Sequence, residues 1–232
     1  MRTTALIVAA GRGERLGGKT PKQFQPCAGH PLAWHAVDRF CRSGEIDDLV
    51  VVLPDPEDLA RYLGGSEAWP IPVRAVAGGR ERQDSVAAGL AAIDGDGLVL
   101  VHDAARPLIS LRVIREVRRA AAGTGAAVPG LACADTIKET DGGRVRTTLD
   151  RRCLIRVQTP QGFRLELLRR AHELAVRDGY TGSDDAALVE RLGAAVAVVE
   201  GSEENMKVTR PGDVGLVEAI LSRKQKSEGG YP

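Results

Sequence analysis

Short β-branched apolar runs alternate with amphipathic helical stretches along most of this chain, and that alternation limits the possible folds sharply. Residues 5–10 (ALIVAA), 49–53 (LVVVL), 73–76, 98–101 (LVLV) and 195–199 (AVAVV) read as buried strands. Between them, residues 32–41, 57–63, 85–93, 113–122, 165–177 and 184–192 carry apolar side chains at helical spacing. Strands that are apolar throughout have no wet face. They belong in a mainly parallel sheet covered by helices on both sides. Such α/β sheets bind their ligands beyond the carboxyl ends of the strands. The informative residues are therefore those that follow strands: AAGRGERLGG after the first, AGGRERQDS after the third and HDAARP after the fourth.

One segment breaks the rhythm. In residues 135–159 (DTIKETDGGRVRTTLDRRCLIRVQT), β-favouring stretches flank Asp141-Gly142-Gly143, a hairpin turn signal. It reads as a β-arm projecting from a single domain that takes in residues 1–232. The polar tail after Arg223 is expected to fray.

The 32 basic and 31 acidic residues leave a formal charge of +1, which argues against a dedicated nucleic-acid or membrane-surface binder. Phosphorylated small molecules remain open, since they need only a few well-placed cations. The cysteines (Cys27, Cys41, Cys133 and Cys153) form no C-x-x-C pair, so a reduced, cytoplasmic protein without structural zinc is expected. No apolar run approaches the ~20 residues of a membrane span, and the first apolar run meets glycine too soon for a secretion signal.

The loop after the first strand, AAGRGERLGGKTPKQ, reads three ways. Residues 13–20 fit the G-x-x-x-x-G-K-[ST] phosphate loop, and LVLVHD resembles its magnesium-holding strand. That loop must open a long helix, however, and Pro21, Pro26 and Pro31 interrupt any helix there. A dinucleotide fingerprint fails on its third glycine and on a missing acidic residue. The third reading is a looser loop. Gly11 and Gly13 let backbone N–H groups approach a triphosphate, Arg15 and Lys22 supply charge, and Asp103 offers a carboxylate to magnesium. That set suits nucleotidyl transfer, which depends on positioning and charge neutralisation.

Taken in order, AAGRGERLGG…PKQF, GGRERQDSVAAGL, VHDAARPL, DTIKET, LDR…QTPQGF, SDDA and ENMKVTRPGD resemble the 2-C-methyl-D-erythritol 4-phosphate cytidylyltransferase family over almost the whole chain. The resemblance implies a Rossmann-like nucleotidyltransferase fold, CTP as co-substrate, Mg²⁺, and a homodimer clasped through the arm. It places Arg15 and Lys22 on the CTP phosphates in the transition state. It places Arg151 and Lys207 where they would orient methylerythritol phosphate, and Asp103 at the metal. Ala9, Ala10, Gly11, Gly13, Gly79, Arg80, Ser85 and Ala104 fall on CTP-contacting positions. Arg106, Asp135, Thr136 and Thr159 fall on the sugar-phosphate side, with Asp135, Thr136 and Arg151 reaching across the dimer. Arg80 stands where the family often has Asp.

Read without the family, several of these residues have plainer roles. Asp84 or Ser85 serves as a helix N-cap, and His102 satisfies a local hydrogen bond. Lys207 in NMKVT lies on an alternating strand and shares a face with Asn205. Arg151 has Arg144, Arg146, Arg152 and Arg156 for neighbours, so the residues alone leave open which arm arginine acts. A ribitol 5-phosphate cytidylyltransferase would share the loop and the fold. A non-catalytic nucleotide sensor would not need both phosphate cations and sugar-positioning groups.

Overall fold

The computed structural model describes residues 1–11 and 21–228. The expected CTP-site residues Gly13 and Arg15 lie outside that range. In chain order, β1 (Thr3–Val8) comes first. Past residues 12–20 come a 3-10 turn at Lys22–Phe24 and a short hairpin, β2 (Pro26–Cys27) and β3 (His30–Pro31). The alternation then runs through α1 (Leu32–Cys41), β4 (Asp48–Leu53), α2 (Asp58–Leu63), β5 (Val73–Ala77), α3 (Arg82–Ala91) and β6 (Leu98–Asp103). After α4 (Leu111–Thr124) and β7 (Ala126–Ala132) come the arm strands β8 (Lys138–Asp141) and β9 (Arg144–Thr148), then β10 (Ile155–Val157). The last elements are β11 (Gln161–Arg164), α5 (Leu165–Arg177), α6 (Asp185–Arg191), β12 (Ala197–Glu200) and α7 (Pro211–Glu228).

The main sheet runs β10-β7-β11-β6-β1-β4-β5, with β12 also paired to β7. Strands β5, β4, β1 and β6 are parallel neighbours. β11 is antiparallel to both β6 and β7. The residues alternate between two apolar layers as the pleat requires. Ala5, Ile7, Leu49 and Val51 face the layer of Phe40, Val113 and Val117. Leu6, Val50, Val52, Val99 and Val101 face Val86, Leu90, Leu168 and Val189. Each layer excludes water from one side of the parallel strands, which is why those strands carry no polar alternation.

From β1 the chain winds outward to β4 and β5, then returns to place β6 on the other side of β1. The carboxyl ends of β1 and β6 therefore flank a topological switch point, where open α/β sheets form a crevice. Register pairs Val8 with Asp103 at that edge, and the Ala104 N–H donates to the Val8 carbonyl at 3.1 Å.

As the prolines predict, no helix opens after residue 20; the 3-10 turn and the β2–β3 hairpin occupy that place, against the ATPase-type loop. The structure corrects other expectations. Helix α3 is not capped by Asp84 or Ser85. Glu81 is the N-cap, and its backbone N–H donates to Asp84 Oδ2 at 3.0 Å. Residues 202–210 form no strand, so Lys207 and Asn205 share no strand face: Asn205 is fully buried while the Lys207 side chain is 41% exposed. The arm hairpin is confined to β8 and β9, because β10 returns to pair with β7. Helix α7 continues to Glu228, beyond the point where fraying is expected, because it packs Val214, Val217, Ile220 and Leu221 against Cys27, Leu32 and Val208.

Candidate active site

The small residues after β1 and β5 form one wall of the crevice. A Cβ built on Gly78 would lie 2.2 Å from the Ala10 Cβ and 2.9 Å from Ser85 Oγ, so only glycine permits this approach. The Gly79 N–H donates to Ser85 Oγ at 3.1 Å, and that hydroxyl donates to the Glu81 carbonyl at 3.1 Å. Ala10, Gly79 and Ser85 are thereby gathered, while Ala9 is buried in the opposite apolar layer. Gly11 and Arg80 are exposed, and Ala104 is buried directly behind Asp103.

Asp103 is the centre of the other wall. It is 8% exposed, at the end of β6. Its Oδ2 accepts from Lys207 Nζ at 2.6 Å and its Oδ1 from Arg82 Nε at 3.1 Å. Burial on its own would raise the Asp103 pKa, but the Arg82 and Lys207 charges override it and hold the carboxyl well below the usual range. Lys22 donates through Nζ to the Val208 carbonyl, beside Lys207. Arg106 donates through Nη1 to the Asn205 carbonyl at 2.7 Å, while its buried Nε has no hydrogen-bond partner among the described residues. Lys22, Asp103, Arg106 and Lys207 therefore converge on one edge although Lys22 and Val208 lie 186 positions apart.

A buried chain of hydrogen bonds backs Asp103. The Asp103 N–H donates to Thr159 Oγ1 at 3.1 Å, and Thr159 Oγ1 lies 3.0 Å from His102 Nδ1. His102 Nε2 faces the Arg106 carbonyl at 3.1 Å. A carbonyl only accepts, so Nε2 carries the proton. Nδ1 then accepts from the Thr159 hydroxyl, which accepts from Asp103 in turn. Each group is satisfied only while His102 is neutral, and burial lowers its pKa from 6.5 to about 4. The sign follows from linkage. The unfolded chain binds this proton at a higher pH than the folded one, so stability falls as pH drops from 6.5 towards about 4. Within that window the expected slope from this residue is about 1.4 kcal/mol per pH unit. Urea unfolding of the native protein and His102→Gln at pH 7 and pH 5 measures it. The gap in stability should narrow at pH 5; an unchanged gap would remove His102 as the cause.

The expected arm residues stand apart. Asp135, Thr136 and Arg151 are exposed, and Arg151 donates to the Ala134 carbonyl. Among the described residues, no hydrogen bond or ion pair joins them to the Asp103 cluster. Arg82 was not singled out from the sequence. Arg80 and Arg82 are equivalent in GGRER, and only the direction of α3 decides that Arg82 turns inward. Gln158 is likewise visible only in three dimensions, donating to the Ser202 carbonyl at 2.9 Å and accepting from the Ser202 N–H at 3.1 Å.

As a magnesium site, a single ionised carboxylate at the switch-point crevice fits the ion's chemistry. Mg²⁺ keeps several waters and takes one or two carboxylates together with substrate phosphates. Among the described residues no three His, Cys, Asp or Glu side chains cluster as an all-protein cage.

Comparison with known proteins agrees with this geometry. The family model described as 2-C-methyl-D-erythritol 4-phosphate cytidylyltransferase matches residues 3–223. A protein of that name from Geobacillus kaustophilus is 41% identical over 226 residues, covering 97% of this chain and 99% of its own. The crystal structure of the Thermus thermophilus protein superposes with a TM-score of 0.78 at 37% identity, covering 96% of this chain and all of that one. The structure of 4-diphosphocytidyl-2C-methyl-D-erythritol synthase from Anaerococcus prevotii reaches 0.83 at 29% identity, covering 95% and 98%. With its switch-point crevice, its gathered cations and this end-to-end match, the chain belongs to the 2-C-methyl-D-erythritol 4-phosphate cytidylyltransferase family.

Proposed function

We propose the following chemistry for a cytidylyltransferase that takes CTP and methylerythritol phosphate, in the non-mevalonate route to isoprenoids. A phosphate oxygen of the acceptor attacks the α-phosphorus of CTP. The bond to the β-phosphate breaks, pyrophosphate leaves, and 4-diphosphocytidyl-2-C-methyl-D-erythritol forms. The acceptor oxygen is already anionic, so no strong general base is required. The wall of Ala10, Gly79 and Ser85 receives the cytosine through backbone groups, in a slot too narrow for a purine. Lys22, with Arg15 from the same loop, stabilises charge on the triphosphate as the leaving group separates. Arg106 and Lys207 hold the acceptor phosphate, with Thr159 fixing the Asp103 backbone behind them. Asp103 would hold Mg²⁺, which supplies charge neutralisation to the phosphates. The convergence of Lys22, Asp103 and Lys207 on the β1/β6 switch point is the observation that carries this reading.

The arm supports a homodimer. Among the described residues strands β8 and β9 pair only with each other, and a two-stranded ribbon alone is marginal in water. Val145 is 61% exposed, with Leu149, Ile155 and Val157 also uncovered. A second copy would cover these side chains and carry Asp135, Thr136 and Arg151 to the acceptor. We place the enzyme in the cytoplasm; its four cysteines are free thiols, as a reducing compartment leaves them. No helix among the described residues is long and apolar enough to cross a membrane.

Pyrophosphate release is the direct test, with CTP or ATP as donor and methylerythritol 4-phosphate or ribitol 5-phosphate as acceptor. Release is expected with CTP and methylerythritol phosphate alone. Equal use of ATP would remove the pyrimidine slot. Release with ribitol phosphate alone would leave the CTP site standing and replace the acceptor.

A further inference from the structure

Arg82 is the first residue of α3 and joins two carboxylates from distant parts of the chain. Its Nε lies 3.1 Å from Asp103 Oδ1 and its Nη1 lies 2.8 Å from Asp185 Oδ2. The Asp185 side chain is 1% exposed at the start of α6, and its other oxygen faces His172 Nε2 at 3.3 Å. The guanidinium is thus fixed at one end by a buried carboxylate that has no path to solvent. At its other end it engages one oxygen of Asp103 and leaves Oδ2 to Lys207.

We propose that Arg82 is a positioning residue for the reaction: anchored on Asp185, it sets the rotation of the Asp103 carboxylate so that Oδ2, the oxygen that Lys207 contacts, is the one turned towards the crevice. The proposal rests on Asp103 being the carboxylate that serves the metal. A planar fork holds its donors in fixed directions between two carboxylates, whereas the three donors of an ammonium rotate about a flexible stem. A carboxylate free to rotate could present both oxygens or neither. Arg82 removes that freedom at no cost during turnover, because its own position is set by α3 and α6. Outer-shell partners of this kind typically change metal affinity or activity 10–100-fold when lost.

Arg82→Lys keeps the charge and removes the fork. Mn²⁺ binding in the presence of CTP, followed by electron paramagnetic resonance well below the unfolding temperature, reports on Asp103 without turnover. Arg82→Lys should bind Mn²⁺ about 10–100-fold more weakly than native and lose kcat to a similar degree. Asp185→Asn, which keeps the shape of the anchor, should move both in the same direction, and serves alone if Arg82→Lys does not fold. The Arg82→Lys/Asp185→Asn double variant should be less impaired than the two losses added together, because both act through one contact. Native Mn²⁺ affinity in Arg82→Lys would overturn the proposal, even with activity lost. Asp103→Asn separates the two failures. If it binds Mn²⁺ as native, Asp103 does not serve the metal and the proposal goes with it. If Asp103→Asn is weakened while Arg82→Lys and Asp185→Asn are not, only the role of Arg82 is lost.

Discussion

Lys22→Ala should release pyrophosphate about 10²–10³-fold more slowly than the native enzyme, the size of effect seen when one oxyanion-stabilising donor is removed. Lys22 opens the 3-10 turn that follows the glycine-rich loop, and its ammonium is held against the backbone of Val208, next to Lys207. Charge grows on the departing pyrophosphate only as the bond breaks. A cation placed for that moment contributes more to the transition state than to bound CTP. kcat should therefore fall much more than KM rises, and kcat/KM should fall with it. Lys22→Arg, which keeps the charge but changes its reach, should recover part of the loss. The fold should survive, because a hydrogen bond such as that to the Val208 carbonyl contributes about 0.5–1.5 kcal/mol, a small part of a domain's stability. Steady-state rates at varied CTP, with a thermal melt as control, give the answer. A variant with kcat within about threefold of native would take Lys22 out of the transition state.

The second large effect concerns the arm. If the proposed arm-clasped dimer forms, Val145→Glu/Leu149→Glu should convert it to a monomer and lower kcat/KM for methylerythritol phosphate by about 10²-fold, the cost of losing the geometry of a positioned substrate. Both side chains are exposed in a single copy, at 61% and 38%, so the substitutions remove nothing from the monomer's own core. Two carboxylates in an apolar interface would each have to be desolvated without a partner. Light scattering gives the mass, and CTP binding by calorimetry should remain near native because Ala10, Gly79, Ser85 and Lys22 belong to the body. A fully active monomer would mean that Arg151 does not act across a dimer. A variant that remains dimeric would place the interface elsewhere.

Much of the body is legible in local pattern. Helices α1 and α5 occupy the residues their apolar spacing indicates, β1, β4 and β6 lie on apolar runs, and β5 lies on the run that Arg74 interrupts. Boundaries shift by a few residues where caps decide them, as at Ser110, whose hydroxyl accepts from the Val113 N–H and starts α4. β7 is different. Its sequence, AAVPGLA, combines weak strand formers with proline and glycine, and it is a strand because β10, β11 and β12 pair with it. NMKVT shows the converse. It alternates as a strand should, yet no neighbouring strand takes up its hydrogen bonds. The Val208 N–H goes instead to the Ala105 carbonyl, and that loop conformation lets Asn205 turn inward while Lys207 reaches Asp103.

The sequence by itself determined the class of sheet, the strand ends at which chemistry would sit, and the family. Each of these is written in neighbouring residues: apolar period, glycines after a strand, motifs in order. The tertiary structure decided which charged groups meet. Arg82 rather than Arg80 turns to Asp103, the Lys207–Asp103 pair spans 104 positions, and burial keeps His102 neutral while the Arg106 carbonyl selects its tautomer. The physical reason is that periodicity is a property of one segment, whereas an ion pair or a buried hydrogen-bond chain depends on where several segments end in space.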